Sequence, residues 1–344
     1  MRAIALTGLR KLELLDVPTP QLEQPTDVLL KIETVGICGS DLHYYETGRI
    51  AARVARFPFI IGHECSATVL EIGAQVRRVK VGDQVAVDPA MSCYDCDQCR
   101  AGRPHTCRHL TFLGCPGESE GCLQEYLLMP EASLYPTRGG VTLEQAALCE
   151  PLSIGLYTVR LSRLPPGAEA AILGTGPIGL SVLLAARNAE VGRVWTTDLI
   201  PERLSASRQM GAHWSGSPKS QEVVKEILHE QPLGLDVVFE CAGKPETLEQ
   251  AVELLKPGGR LVMVGIPHET RVSFPIDSLR RKELTLSNVR RQNHCVQAAL
   301  DLVGSGSIRV NPLLTHRFQP EQAQEAFELV AGYRDGVLKA VIEF

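Results

Sequence analysis

The chain has 344 residues, 44% of them hydrophobic and 22% charged, with 40 acidic and 35 basic side chains for a net charge of −5. At roughly 100–200 residues per domain this is material for two domains, and the ordinary apolar content excludes disorder or a coiled coil as the organising principle. The mild acidity gives no reason to expect nucleic acid or an anionic membrane as a partner, and no uncharged apolar run in the sequence approaches the roughly 20 residues that a spanning helix needs.

The N-terminal residues Met1-Arg2-Ala3-Ile4 do not continue into the apolar core of a signal peptide, because Thr7, Gly8, Arg10 and Lys11 interrupt it. A cytoplasmic protein is therefore expected. The first 150 residues read as β-rich. Short apolar runs at 28–32, 67–72 and 84–87 are separated by turn signals such as Gly82-Asp83 and Asp88-Pro89. Eleven cysteines, an odd number, point away from a disulfide framework in a chain of this kind. Four of them form Cys93-x2-Cys96-x2-Cys99-x7-Cys107. Four thiolates within 15 residues leave no open position and describe a closed, tetrahedral structural zinc. The overlapping spacings argue against a redox pair, and Asp95 and Asp97 in the lobe argue against a finger that binds nucleic acid.

Past Glu150-Pro151 the pattern changes. Strands predicted at 169–173, 193–197, 213–215, 236–240, 260–264 and 284–288 alternate with helical stretches such as 201–209 and 245–255. This predicts an α/β fold with a doubly wound parallel sheet of six strands. Helices at 295–303 and around 321–331 and a strand at 338–343 follow, and this tail is expected to return to the first domain. The predicted division is residues 1–152 and 291–344 for a β-rich domain with its lobe at 93–107, and residues 153–290 for a dinucleotide-binding domain.

The first strand of that second domain runs into Gly174-Thr175-Gly176-Pro177-Ile178-Gly179. Glycines at this spacing permit a tight turn, close approach of a pyrophosphate and close packing of helix on strand, and the helix N-terminus offers unpaired N–H groups to the phosphates. Asp198 stands 19 residues after Gly179, at the end of the second strand. A carboxylate there accepts hydrogen bonds from ribose hydroxyls and repels a 2′-phosphate, which favours NAD over NADP. Arg203, on the next helix, is a neighbour for the adenosine half. A second metal-binding set is dispersed over Cys38-Gly39-Ser40-Asp41-Leu42-His43, Gly62-His63-Glu64 and Cys149-Glu150-Pro151. One thiolate, one imidazole and one or two carboxylates can hold zinc and leave room for water or an alcohol oxygen. Spacing alone favours the plainer reading, a buried Cys38 and a core histidine at His63.

Together these residues resemble the zinc-dependent medium-chain alcohol dehydrogenase family over essentially the whole chain. Within it the chain looks most like the sorbitol (polyol) dehydrogenases, through Cys38 to Tyr44, Gly48-Arg49-Ile50, Glu150-Pro151-Leu152-Ser153 and Pro312-Leu313-Leu314-Thr315-His316-Arg317-Phe318. The resemblance implies a GroES-like catalytic domain plus a Rossmann domain, two zinc ions per chain, NAD, and a homo-oligomer, tetramer or dimer. It implies Cys38 and His63 as ligands of the catalytic zinc, with Glu64 or Glu150 as the third protein ligand. Ser40 and His43 match the family's proton relay, Tyr44 a contact to substrate hydroxyls, and Arg290 a bridge between cofactor and substrate. Ile178 belongs to the phosphate loop, and Val264, Gly265, Ile266, Asn288 and Val289 lie where the family brings backbone against the nicotinamide.

The implied activity is hydride transfer between NAD and a secondary alcohol, a polyol oxidised to a ketose. One departure bears on the substrate. Sorbitol dehydrogenases carry an aromatic residue after the bridging arginine, whereas this chain has Arg291, a bidentate donor suited to a carboxylate or phosphate. Aldonates and polyol phosphates are thereby admitted. A threonine-type amino-alcohol dehydrogenase shares the same apparatus. A non-catalytic NAD-binding relic has no need of Cys38, His63, Glu64 and Glu150 together, and a zinc-ribbon regulator leaves the glycine loop unexplained.

Overall fold

A computed structural model describes residues 1–267 and 269–344. The chain divides into two compact units, Met1–Glu150 with Val296–Gly306 and Leu313–Phe344, and Pro151–Cys295 with Ser307–Pro312. The division falls inside the helix Leu143–Ser162, which runs through Pro151. Proline there removes one helical N–H donor without ending the helix. Among the described residues no helix is long and apolar enough to cross a membrane.

In the first unit a seven-stranded sheet has the order Leu134–Pro136, Gln84–Val87, Glu64–Ile72, Asp27–Gly36, Lys339–Glu343, Leu314–Phe318, with Tyr126–Pro130 also pairing Asp27–Gly36. The predicted runs at 28–32, 67–72 and 84–87 lie in three of these strands. Asp27–Gly36 is the hub, antiparallel to each of its partners. Its Val28, Leu30, Ile32 and Val35 are fully buried in one core with Val69, Phe327 and Ile342. Burial of this kind, at about 25 cal/mol per Å² of apolar surface removed from water, is what holds the sheet. The register sets Gly36 opposite both Glu64 and Val341. The predicted strand at 338–343 is thus Lys339–Glu343, inserted beside the hub.

The second unit is built on a six-stranded parallel sheet in the order Trp214–Gly216, Val194–Thr197, Ala170–Leu173, Leu235–Glu240, Leu255–Met263, Thr285–Asn288. All six predicted strands are present. Strands buried on both faces read as continuous apolar runs, and Ala170–Leu173 is buried at every residue. The strand order reverses between Ala170–Leu173 and Leu235–Glu240, which opens the crevice where ligands of such sheets bind. Pairing places Leu173, Thr197, Glu240, Met263 and Asn288 level across the sheet at its C-terminal edge. Gly174, Asp198 and Val264 follow directly.

Candidate active site

Strand register assembles the dispersed metal set. Because Gly36 faces both Glu64 and Val341 in antiparallel pairs, the residues just beyond, namely Cys38, His63 and Lys339, converge at one end of the first unit's sheet. Ligand atoms of Cys38, His63 and Glu64 lie within 4.8 Å of one another. A thiolate, an imidazole and a carboxylate are a donor set that zinc takes in open sites, and the close approach is built in: a Cβ at Gly36 would stand 2.4 Å from Glu64 Oε2. Among the described residues Glu150 is outside this group of three.

Asp41, buried on the helix Gly39–Thr47, organises the site from behind. Its carboxylate accepts the N–H of Cys38 at 3.0 Å and of Gly62 at 3.2 Å, and its Oδ1 lies 3.4 Å from His63 Nδ1. An imidazole held at Nδ1 by a carboxylate presents Nε2 to a metal, with its orientation fixed. Burial opposes a charged His63, but Asp41 and Cys38 outweigh it and hold the imidazole well above its ordinary value. Both oxygens of Glu64 accept from Lys339 Nζ, at 2.6 and 2.9 Å, and the same ammonium donates to the Ile37 carbonyl at 2.9 Å. Glu150 is buried on the helix Leu143–Ser162, and burial together with the charge of Glu64 pushes its carboxyl up to about 8.

The four clustered cysteines fit a closed site. Their Sγ atoms are 3.4 Å apart for Cys93 and Cys107, 3.6 Å for Cys96 and Cys99, 3.9 Å for Cys96 and Cys107 and 4.0 Å for Cys93 and Cys99. These are far beyond a disulfide bond of about 2.0 Å and bracket the edge of about 3.8 Å of a tetrahedron with arms of about 2.3 Å. Backbone N–H groups of Cys93, Cys96 and His109 donate to the sulfurs at 3.3–3.4 Å. Those of Arg108 and Cys99 bring the Cys96 thiol down to about 6, whereas burial and its sulfur neighbours push the Cys99 thiol up to about 12.

In the second unit Gly174 follows the strand Ala170–Leu173, and Gly176 caps the helix Pro177–Asn188, with Ile178 in its first turn. A Cβ at Gly179 would lie 1.9 Å from the Gly174 carbonyl oxygen, so only glycine lets this helix pack against its strand. Asp198 turns back toward the loop. Its Oδ2 accepts the Thr175 N–H at 2.7 Å and the Thr175 hydroxyl at 3.2 Å, and its Oδ1 accepts the Ile200 N–H at 3.0 Å. Arg203 Nη1 is 3.9 Å from Asp198 Oδ2 and lies beside Gly176. The amides of Val264 and Gly265 donate to the Glu240 carbonyl at 2.8 and 2.9 Å, and that of Val289 to the Met263 carbonyl at 2.9 Å. Ile266 and Asn288 are exposed.

Ser40 and His43 are half-buried and one turn apart on the helix Gly39–Thr47. Tyr44 on the same helix packs in the apolar core with its hydroxyl 4.0 Å from Cys115 Sγ, and burial followed by the charge of Cys115 pushes the phenol upward. Arg290 is exposed, while Arg291 is half-buried with a left-handed backbone φ of 57°. Three organising residues were not assigned from sequence: Asp41, Thr175 and Lys339. Asp41 stood inside a quoted motif, Thr175 between two loop glycines, and Lys339 at the start of an apolar strand, each a usable signal once the partner is known.

Residues 24–139 match the alcohol dehydrogenase GroES-like domain family, and residues 177–305 match the zinc-binding dehydrogenase family. The chain is 33% identical over 343 residues to a sorbitol dehydrogenase of Bacillus subtilis (strain 168), covering 99% of this chain and 97% of that one. It is 34% identical over 333 residues to an L-idonate 5-dehydrogenase of Vitis vinifera, covering 95% and 90%. Among solved structures, a protein described as a zinc-binding dehydrogenase from Sinorhizobium meliloti 1021, bound to NADP, superposes with a TM-score of 0.91 at 30% identity, covering 100% of this chain and 99% of that one.

Proposed function

Since the chain belongs to the zinc-dependent medium-chain alcohol dehydrogenase family, we propose that it oxidises a secondary alcohol of a polyol or sugar acid to the ketone, with NAD as the preferred acceptor. Family membership makes it an oxidoreductase with a GroES-like domain and a Rossmann domain that uses zinc and a nicotinamide cofactor, as the sequence resemblance implied. The observation that carries the reading is the meeting of Cys38, His63 and Glu64 at one end of the sheet. When bound, zinc supplies a Lewis acid that eases loss of the alcohol proton and the nicotinamide supplies the hydride acceptor.

Cys38, His63 and Glu64 hold the catalytic zinc in this reading, and Glu150 provides a buried carboxyl beside it that can take up or give a proton near neutral pH. Ser40 and His43 carry the alcohol proton away. Cys93, Cys96, Cys99 and Cys107 hold the structural zinc. Gly174, Gly176, Ile178 and Gly179 cradle the pyrophosphate, Asp198 and Arg203 meet the adenosine ribose, and Val264, Gly265, Ile266, Asn288 and Val289 support the nicotinamide. The catalytic domain is the first of the two compact units and the Rossmann domain the second. The protein acts in the cytoplasm as a homo-oligomer on a small-molecule substrate.

Tyr44, Arg290 and Arg291 bear on substrate choice. The relatives named above act on sorbitol, a neutral polyol, and on L-idonate, a carboxylate, and Arg291 supports the second class as well as phosphorylated polyols. Reduction of NAD, measured over neutral polyols, aldonates, polyol phosphates and threonine at equal concentration, tests the reading. A polyol, aldonate or polyol phosphate is expected to give the highest kcat/KM. Preference for threonine, or no reduction with any of them, overturns it.

A further inference from the structure

The carboxylate of Asp198 is largely occupied before any cofactor arrives. An ionised carboxylate offers about four lone-pair positions. Three are filled within the chain, two on Oδ2 by the N–H and hydroxyl of Thr175 and one on Oδ1 by the N–H of Ile200. The remaining position is on Oδ1. Arg203 Nη1, at 3.9 Å from Oδ2, adds charge without a directional hydrogen bond.

The two backbone donors, one on each oxygen, set the angle of the carboxylate about its Cβ–Cγ bond, but within a broad well, since the terminal torsion of aspartate is soft. The Thr175 hydroxyl is the third point. Thr175 is completely buried, so its hydroxyl is directed at Asp198 and does not face a ligand. Without it, Oδ2 keeps a single hydrogen bond and is drawn toward the Arg203 guanidinium, which rotates the open position on Oδ1.

We propose that Thr175 is a positioning residue for cofactor choice, its buried hydroxyl holding the Asp198 carboxylate in the orientation that accepts a ribose hydroxyl and turns away a 2′-phosphate. The proposal rests on the reading of Asp198 as the ribose ligand. It assigns a specificity role to the first variable position of the glycine loop, where chain packing alone requires no hydroxyl.

The test is titration of the full-length protein with NADH and with NADPH, followed by nicotinamide fluorescence without turnover, for Thr175→Val, Thr175→Ser, Asp198→Ala and the double variant, with thermal midpoints alongside. Valine keeps the shape and the backbone N–H and removes only the hydroxyl. Thr175→Val is expected to weaken NADH binding about tenfold or more, in line with loss of one hydrogen bond to a charged group, and to narrow the NADH-to-NADPH ratio by a similar factor. Thr175→Ser should restore both, and Thr175→Val should add nothing in the Asp198→Ala background. An unchanged ratio in Thr175→Val while Asp198→Ala shifts it, or an additive effect in the double variant, overturns the proposal and leaves the ribose reading intact. An unchanged ratio in Asp198→Ala overturns the ribose reading and the proposal with it. A lowered thermal midpoint in Thr175→Val with the ratio intact assigns the hydroxyl to stability alone.

Discussion

Lys339 lays its ammonium across both carboxylate oxygens of Glu64, at 2.6 and 2.9 Å, in an interior where neither side chain reaches solvent. Two buried charges are tolerated because each satisfies the other, and removing one strands its partner in a medium that solvates it poorly. Lys339→Met should therefore lower stability by about 3–5 kcal/mol, read as a shift in the denaturant midpoint. A midpoint equal to that of the parent protein would show that Glu64 finds other compensation.

The four-thiol lobe and the open site should separate under mutation. The parent protein is expected to carry about two zinc ions per chain. Cys96→Ser should lower this to about one and make the segment around residues 93–107 the first cleaved in limited proteolysis. Two ions retained in the variant would contradict the closed four-cysteine site.

His63→Ala removes the imidazole that Asp41 orients toward Cys38 and Glu64. Loss of several kcal/mol of charge stabilisation corresponds to about a thousandfold or more in kcat. Circular dichroism and the zinc of the cysteine lobe should be retained. Activity within tenfold of the parent would remove His63 from the catalytic set.

Arg291, half-buried with its left-handed backbone, is proposed as a reader of anionic substrate groups. Arg291→Tyr should depress kcat/KM for an aldonate or polyol phosphate about tenfold or more, the scale of a charge-assisted hydrogen bond. The matched neutral polyol should change little or improve. Equal effects on both substrates would place Arg291 outside substrate recognition.

Glu240 gives a pH signature in the second unit. Burial raises its carboxyl, against hydrogen bonds from the Thr247 hydroxyl and the N–H groups of Gly243 and Ala242. The folded protein then binds this proton more tightly than the unfolded chain, so the group costs stability as pH rises from about 4.3 through the folded value. Glu240→Gln keeps an acceptor oxygen for Ala242, Gly243 and Thr247, whose donors lie at 2.7–2.8 Å. The variant should match or exceed the parent in thermal midpoint at neutral pH, with the difference vanishing below about pH 4.3. A difference that does not vary with pH would assign the effect to the loop geometry instead.

Signals local in sequence were legible. The six strands of the second unit follow from apolar runs alternating with helical periods, and the cysteine lobe follows from four thiols within 15 residues. The gathering of Cys38, His63 and Glu64 depends on the register of Asp27–Gly36 with Glu64–Ile72, which periodicity does not determine, and resemblance supplied that set. Lys339 was invisible for a different reason. Its partner Glu64 is 275 positions away, and a lysine in a short apolar strand looks like an edge charge until a second strand is known to lie on each side. The short strands Arg49–Ile50 and Arg53–Val54 contain too few residues to show any period.

The insertion of Lys339–Glu343 beside Asp27–Gly36 also imposes an order in time. The bond from Lys339 to the Ile37 carbonyl joins residues 302 positions apart. At about 5–20 residues per second on the ribosome, Lys339–Glu343 is made about fifteen seconds to a minute after the hub strand it pairs. Throughout that interval Glu64 lacks the ammonium of Lys339, and the hub strand keeps open only the stretch of its edge at 34–36, the rest being paired by Tyr126–Pro130. The whole six-stranded unit is synthesised in between and can fold first. A nascent chain stalled before residue 339 therefore exposes residues 34–36 of the hub strand to neighbouring polysomes and chaperones, and the metal pocket is completed only once Lys339 has been made.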